Sequence, residues 1–235
     1  MKVLVFFLFV LIKNINCDSG PSIHYHRDIG IPEASRIIAA EEGLNITLTN
    51  GHSSVCGASL LSSTSLVTAA HCWVDASQQA LEFEVVLGST RLYSGGTRIR
   101  TRRVIKYYYF NPQTPYDDDI AMILIPRITF SGKLRVYYQI GLISGFGRTS
   151  DSKYICEQVT TYVFVYPNKE CAKVYSIIKD KHICSARSNA PCWGDSGGPL
   201  RVGVCSFVSA KGCAVKDPAG YTRVTKFLNF INYYK

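Results

Sequence analysis

Apolar residues along this chain fall in short runs, or alternate with polar ones, and the runs are broken by Gly, Asn, Ser and Pro. The clearest are residues 59–68, 83–87, 120–125, 160–166 and 202–208. Short, regularly spaced segments with few helical periods predict an all-β sandwich or barrel. The tail differs. Phe227, Leu228 and Ile231 recur at helical spacing within 224–234, which predicts a C-terminal amphipathic helix.

At the other end, Lys2 precedes an unbroken apolar run over residues 3–12, followed by Lys13 and Asn14. The run is too short to span a bilayer, and its basic start and apolar middle predict a secretory signal peptide over residues 1–17. No later segment is apolar for long enough to predict a membrane helix, so the mature protein is expected to be soluble and extracellular. Residues 18–36 carry Gly20, Pro21, His24, His26, Gly30 and Pro32, turn formers and polar groups that suit an exposed propeptide. That leaves residues 37–235 as one folded unit.

Composition narrows the class. With 235 residues, 18% charged and 47% hydrophobic, the chain is globular and long enough for a sizeable core. Nine cysteines point to disulfides and an oxidising compartment. The formal charge of +9 suggests attraction to acidic surfaces. The arginine row Arg98, Arg100, Arg102 alternates with Ile99, Thr101 and Arg103, as the wet face of a strand does. No aromatic platform is interleaved with it, so neither nucleic acid nor a membrane is an expected partner.

Three stretches carry chemistry. In Gly194-Asp195-Ser196-Gly197-Gly198-Pro199, glycines let the backbone bend and hold a serine exposed. A serine hydroxyl is a poor nucleophile until a base activates it. The amides of Gly194 and Ser196 can bind a developing oxyanion. In Leu66-Val67-Thr68-Ala69-Ala70-His71-Cys72, a histidine follows a run of small and apolar residues and adjoins a cysteine, which makes His71 the candidate base. In Asp117-Asp118-Asp119-Ile120-Ala121, an aspartate at the mouth of an apolar strand must accept a bond to stay there. Asp119 is the one expected to point inward, with Asp117 and Asp118 as solvated loop charges. His52 and His182 are expected to be ordinary surface or core histidines.

In that chain order, Thr68-Ala69-Ala70-His71-Cys72, Asp119-Ile120-Ala121 and the 194–199 string resemble the chymotrypsin-like serine proteases. The resemblance runs from Ile37 to Lys235. Cys56-Gly57-Ala58-Ser59-Leu60-Leu61-Ser62 and Gly220-Tyr221-Thr222-Arg223-Val224 look most like arthropod digestive chymotrypsins and collagenases. The resemblance implies two six-stranded antiparallel β-barrels with a C-terminal helix. Three segments, 40–56, 125–145 and 200–205, are shorter than the family pattern, each where part of a strand or the inter-barrel linker would fall.

The resemblance also implies roles. Ser196 attacks the scissile carbonyl, His71 moves the proton, Asp119 orients the imidazole, and no metal or cofactor is required. Arg36-Ile37 resembles an activation junction cut by a trypsin-like protease, after which the Ile37 ammonium would pair with Asp195. Disulfides Cys56–Cys72, Cys171–Cys184 and Cys192–Cys213 follow from the same mapping. Cys156 and Cys205 have no partner in the family pattern and are either free or paired together. Ala190 falls at the pocket floor, with Ser206, Val208 and Ala219 on its walls. None of these is a carboxylate, so apolar side chains are expected before the scissile bond. The expected protein is a monomeric secreted endopeptidase acting on proteins and peptides and met by protein protease inhibitors. The alternative is a secreted, non-catalytic homologue acting as a binder or decoy. Asn45-Ile46-Thr47 is a glycosylation signal.

Overall fold

The computed structural model describes residues 41–129, 142–148, 159–186, 191–200, 203–213, 215 and 217–235. The signal run, the propeptide, Arg36, Ile37, Cys156 and Ala190 lie outside the described residues.

The first sheet begins with a hairpin of β1 (Glu41–Leu48) and β2 (Ser53–Ser62). Its turn is tight: the Leu48 N–H donates to the His52 carbonyl at 2.9 Å, and Gly51 takes a φ of 81°. Residues 41–56 are thus paired strand on either side of a tight turn. Residues 59–68, expected as one run, fold back on themselves between β2 and β3 (Ser65–Thr68). The break is the polar tetrad Ser62-Ser63-Thr64-Ser65, in which the Ser62 and Ser65 hydroxyls lie 2.7 Å apart. β4 (Ala80–Leu87), β5 (Thr97–Thr101), β6 (Val104–Lys106) and β7 (Ala121–Leu124) complete the sheet, in the order β5-β4-β1-β2-β3-β7-β6.

That sheet has seven strands where six were expected, and one bend accounts for the difference. β5 and β6 are successive pieces of chain separated only by Arg102 and Arg103. β5 pairs with β4 and β6 pairs with β7, so the two edges of the sheet are one strand changing partner at a corner. The corner is held by the Thr101 hydroxyl donating to the Leu124 carbonyl (2.8 Å) and the Leu124 N–H donating to the Arg103 carbonyl (2.9 Å).

The second half repeats the device. β8 (Leu142–Gly145) pairs with β9 (Val159–Tyr162), while β10 (Val165–Tyr166) joins β11 (His182–Ser185), β12 (Pro199–Leu200), β13 (Gly203–Phe207) and β14 (Ala219–Arg223) in the order β10-β11-β14-β13-β12. β9 and β10, expected as one strand over 160–166, are split at Val163 and Phe164 and serve different neighbours. β12 lies beside β8, so the sheet curls back on itself. The architecture is two curled antiparallel sheets with few helices. One of these is α1 (Asn168–Cys171), a single turn before β11.

Alternation decides what each strand buries. Leu44, Ile46 and Leu48 of β1 face Phe83, Val85 and Leu87 of β4 in the first core. Ile143, Ile183, Leu200, Cys205 and Tyr221 make the second. The tail is a 3-10 turn (Val224–Lys226) and then α2 (Leu228–Tyr234). Phe227 and Ile231 are buried in the first core, although the chain has just left the second barrel. At about 1.5–3 kcal/mol per buried side chain, they strap the two halves together. Leu228, expected on the same stripe, is 46% exposed.

Candidate active site

β3 and β7 are antiparallel neighbours, with Thr68 opposite Ala121. The turn after β3 and the residues before β7 therefore meet at one end of the first barrel. His71 sits on the first, a 3-10 turn (Ala70–Cys72), and Asp119 on the second. Asp119 is fully buried and His71 is 4% exposed. Asp119 Oδ2 lies 2.7 Å from His71 Nδ1, and Oδ1 accepts the His71 backbone N–H at 2.9 Å. A carboxylate can only accept, so the ring proton sits on Nδ1 and Nε2 is the basic nitrogen.

Two further groups reach Asp119, both from the second barrel. The Ser206 hydroxyl donates to Oδ2 at 2.5 Å, and the Thr222 hydroxyl donates to the Asp119 carbonyl at 2.8 Å. Ser206 was expected on the pocket wall. Its hydroxyl is turned into the buried carboxylate, because a charge fully removed from water needs every acceptor position filled.

Ser196 is brought to the same place through its main chain. The Gly57 N–H in β2 donates to the Ser196 carbonyl at 2.7 Å. Gly197, at φ 81°, is seated so closely that an added Cβ would fall 2.2 Å from Thr68 Oγ1 and 2.3 Å from the Gly57 carbonyl oxygen. Only glycine fits there, and its fit presses the serine loop against the strand end that leads to His71. The N–H groups of Asp195, Gly197 and Gly198 donate to Cys192, Cys205 and Asp195 carbonyls. Those of Gly194 and Ser196 have no acceptor among the described residues.

Asp195 points away from this opening. Its Oδ1 accepts from the Gly147 N–H and its Oδ2 from the Cys192 N–H, both at 2.8 Å. Gly145 and Gly147 leave room for the carboxylate; an added Cβ would meet Asp195 Oδ1 at 1.7 and 2.6 Å respectively. Burial pushes the Asp195 carboxyl up to about 6, against the two N–H donors that lower it. Arg148 completes this strap, its N–H donating to the Trp193 carbonyl (2.9 Å) and its guanidinium lying 5.2 Å from the Trp193 ring centre.

Of the expected pocket residues, Ala219 is buried in the second core and Val208 packs against that core, half-exposed. Ala190 lies outside the described residues. Asp217 accepts from the Ser209 hydroxyl (2.8 Å) and sits 3.4 Å from Lys211 Nζ, so its charge belongs to that loop.

Disulfides Cys56–Cys72, Cys171–Cys184 and Cys192–Cys213 tie β2 to the His71 turn, α1 to β11, and the serine loop to the 209–213 loop. The first spans 16 residues and stabilises by about 3 kcal/mol on chain-entropy grounds. Its sulfurs lie within 4.8 Å of a His71 ring nitrogen, but being joined they are not thiolates for a metal. Cys205 is buried in the second core.

Elsewhere the arginine row is paired across β4: Arg98 and Arg100 with Glu84, Arg102 with Glu82. Asn45 lies inside β1, between β2 and β4, and donates to Glu84 rather than standing on an open loop. Asp117 and Asp118 are not the solvated loop charges expected. They are mostly buried and engage Lys179 and Lys181 across the barrel junction. Nothing in the local sequence flags that pairing, which joins residues about sixty positions apart.

Two antiparallel β-barrels with a serine loop, a histidine turn and a buried aspartate converging between them define the scaffold of a serine endopeptidase. The trypsin family profile matches residues 38–231. A collagenase of Hypoderma lineatum is 34% identical over 215 residues, covering 81% of this chain and 80% of its own. Brachyurin of Leptuca pugilator is 33% identical over 75% of this chain and 85% of its own. The bovine (Bos taurus) chymotrypsin-like elastase family member 1 is 30% identical over 75% and 77%. The solved structure of HL collagenase superposes with a TM-score of 0.75 at 32% identity, covering 85% of this chain and 94% of that one. The chain belongs to the trypsin family and is a serine-type endopeptidase.

Proposed function

We propose that this chain is a secreted zymogen, cut after Arg36 by a trypsin-like protease, whose mature domain runs from Ile37 to Lys235 and cleaves proteins after apolar residues. The observation that carries the catalytic part is the His71 Nδ1 to Asp119 Oδ2 contact of 2.7 Å beside the Ser196 loop. Ser196 Oγ attacks the scissile carbonyl carbon as its proton passes to His71 Nε2. The oxyanion is held by the Gly194 and Ser196 N–H groups. Asp119 stabilises the imidazolium without taking the proton. His71 then protonates the leaving amine, and water repeats the cycle on the acyl-enzyme.

Secretion is supported by the apolar run at residues 3–12 and by three disulfides among the described residues. Activation is supported by the half-buried Asp195 carboxylate, which accepts two backbone N–H groups and would gain a cation from the freed Ile37 amine. An apolar preference is supported by half-exposed Val208 beside the second core and by the engagement of Asp217 in its own loop. The mature enzyme is expected to act as a monomer and to be a target of protein protease inhibitors. A non-catalytic binder is not favoured, since no member of the triad is substituted. Labelling by a peptidyl organophosphonate tests the reading. Stoichiometric modification at Ser196 in the cut protein is expected, and no labelling of fully cut protein would overturn it.

A further inference from the structure

Asp119 is the fourth of four residues that the second barrel grips in succession. His182 of β11 lies against the Tyr116 carbonyl, its Nε2 at 2.9 Å. Its Nδ1 accepts the Lys179 N–H at 2.9 Å, so Nε2 carries the proton and donates. Asp117 accepts a hydrogen bond from Lys179 on Oδ2 (2.5 Å) and is ion-paired with Lys181 through Oδ1 (2.6 Å). Asp118 receives Lys181 at 2.8 Å. Asp119 receives Thr222 on its carbonyl and Ser206 on its carboxylate.

Asp118 stands at φ 56°, and it is the one non-glycine residue in the left-handed region among the described residues. An L-residue held there is strained and persists only when its surroundings fix it. One peptide bond further on, the chain places Asp119 against His71. We propose that Lys181 and His182 are positioning residues for the reaction, clamping 116–118 so that strained Asp118 presents Asp119 to His71. The proposal rests on the reading of Asp119 as the residue that orients His71.

The clamp is built, not incidental. Asn168 donates to the carbonyls of Lys179 (3.1 Å) and His182 (2.9 Å), and Arg223 donates to those of Asp180 and His182, both at 2.8 Å. Lys226 pairs with Asp180 on its outer side. Lys181 itself is only 24% exposed, so its pairs are shielded from the solvent that weakens surface ion pairs. The histidine turn belongs to the first barrel while every one of these grips belongs to the second. Pairing of β3 with β7 brings Asp119 to His71 within the first barrel, and the second-barrel grips add to the hold on the residues just before Asp119.

The test uses protein expressed as the full chain and then cut after Arg36, carrying Lys181→Met, Lys181→Arg or Asp118→Asn, with Ser196→Ala as reference. The expected result is a kcat lower by about tenfold in Lys181→Met and Asp118→Asn, with KM changed less than about twofold, since orientation is felt in the transition state. Lys181→Arg should recover most of the loss. The far-downfield proton resonance of the His71–Asp119 hydrogen bond should broaden or move in the two impaired variants and return in Lys181→Arg. Wild-type kcat and resonance in both variants would overturn the clamp. So would a loss matching only the fraction of unfolded protein, with the folded remainder keeping the wild-type resonance. Full turnover in Ser196→Ala would instead overturn the catalytic reading itself, which keeps the two failures apart.

Discussion

Ser206 gives its hydroxyl to the same Asp119 oxygen that faces His71 Nδ1, at 2.5 and 2.7 Å. One oxygen thus takes a donor from each barrel. Removing the second-barrel donor leaves a buried charge one bond short while the histidine contact remains. Ser206→Ala is therefore expected to lower kcat/KM by about tenfold, the share of a charged hydrogen bond that reaches the transition state. Thermal stability should also fall, with secretion intact. Steady-state kinetics and a melting curve on purified variant check this; unchanged kcat/KM would mean that Asp119 holds its pose without Ser206.

Asp195 makes the uncut chain sensitive to pH in a definite direction. Its carboxyl is raised from 3.8 to about 6 by burial, against two N–H donors. A raised carboxyl contributes stability that is full below about pH 4 and lost as pH rises through about 6. If cleavage after Arg36 supplies the Ile37 ammonium, that loss should vanish in the cut protein. Melting temperatures of cut and uncut Ser196→Ala protein between pH 4 and pH 7 read the difference, and parallel curves would refute the pairing. Arg36→Gln should yield a secreted protein that trypsin does not activate.

His182 acts in the opposite sense. Burial pushes it below its ordinary 6.5, over the carbonyl of Tyr116 and the carboxylate of Asp117, which favour the charged form, while Lys179 and Lys181 nearby oppose it. Its Nδ1 also accepts an N–H, which a proton there would repel. The stability it contributes is full above pH 6.5 and is lost as pH falls toward its lowered folded value. His182→Gln, which keeps a donor and an acceptor, should flatten that limb. Denaturant midpoints of the two proteins from pH 7 down to pH 5 decide the matter.

Side-chain preference follows from what lines the pocket. An arginine or lysine taken from water without a partner costs several kcal/mol, whereas an apolar side chain gains roughly 25 cal/mol for each Å² it buries. Asp217 is held by Ser209 and Lys211 and is no counter-charge. Leu, Met or Phe before the scissile bond should outperform Trp, and all should exceed Arg and Lys by orders of magnitude. Fluorogenic peptides differing only at that residue provide the comparison; a maximum at Arg or Lys would show that a carboxylate reaches the pocket.

Local pattern made much of this legible. Alternation marked the strands because one face of each sheet must be dry, and glycine at 194 and 197 marked the serine loop because its backbone takes φ values of 100° and 81°. The helical tail was readable for the same reason, except that Leu228 turns outward. Bends were harder to see. Thr101 to Val104, and Tyr162 to Val165, look like continuous strand in sequence, yet each changes partner at a two-residue corner. A strand's own side chains do not say which neighbour it will pair with.

The sequence by itself determined the candidate residues of the site and the order in which they arrive, because the proposed nucleophile, base and carboxylate each need a local backbone that short motifs encode. Tertiary structure alone decided how they are held. Whether Ser206 faces a pocket or Asp119, and whether Asp117 and Asp118 meet water or Lys179 and Lys181, depends on the docking of two barrels. Those contacts join residues roughly sixty to ninety positions apart. Hydrogen bonds and ion pairs act over a few ångströms in space, and no spacing within a single strand or loop records which distant group will be there.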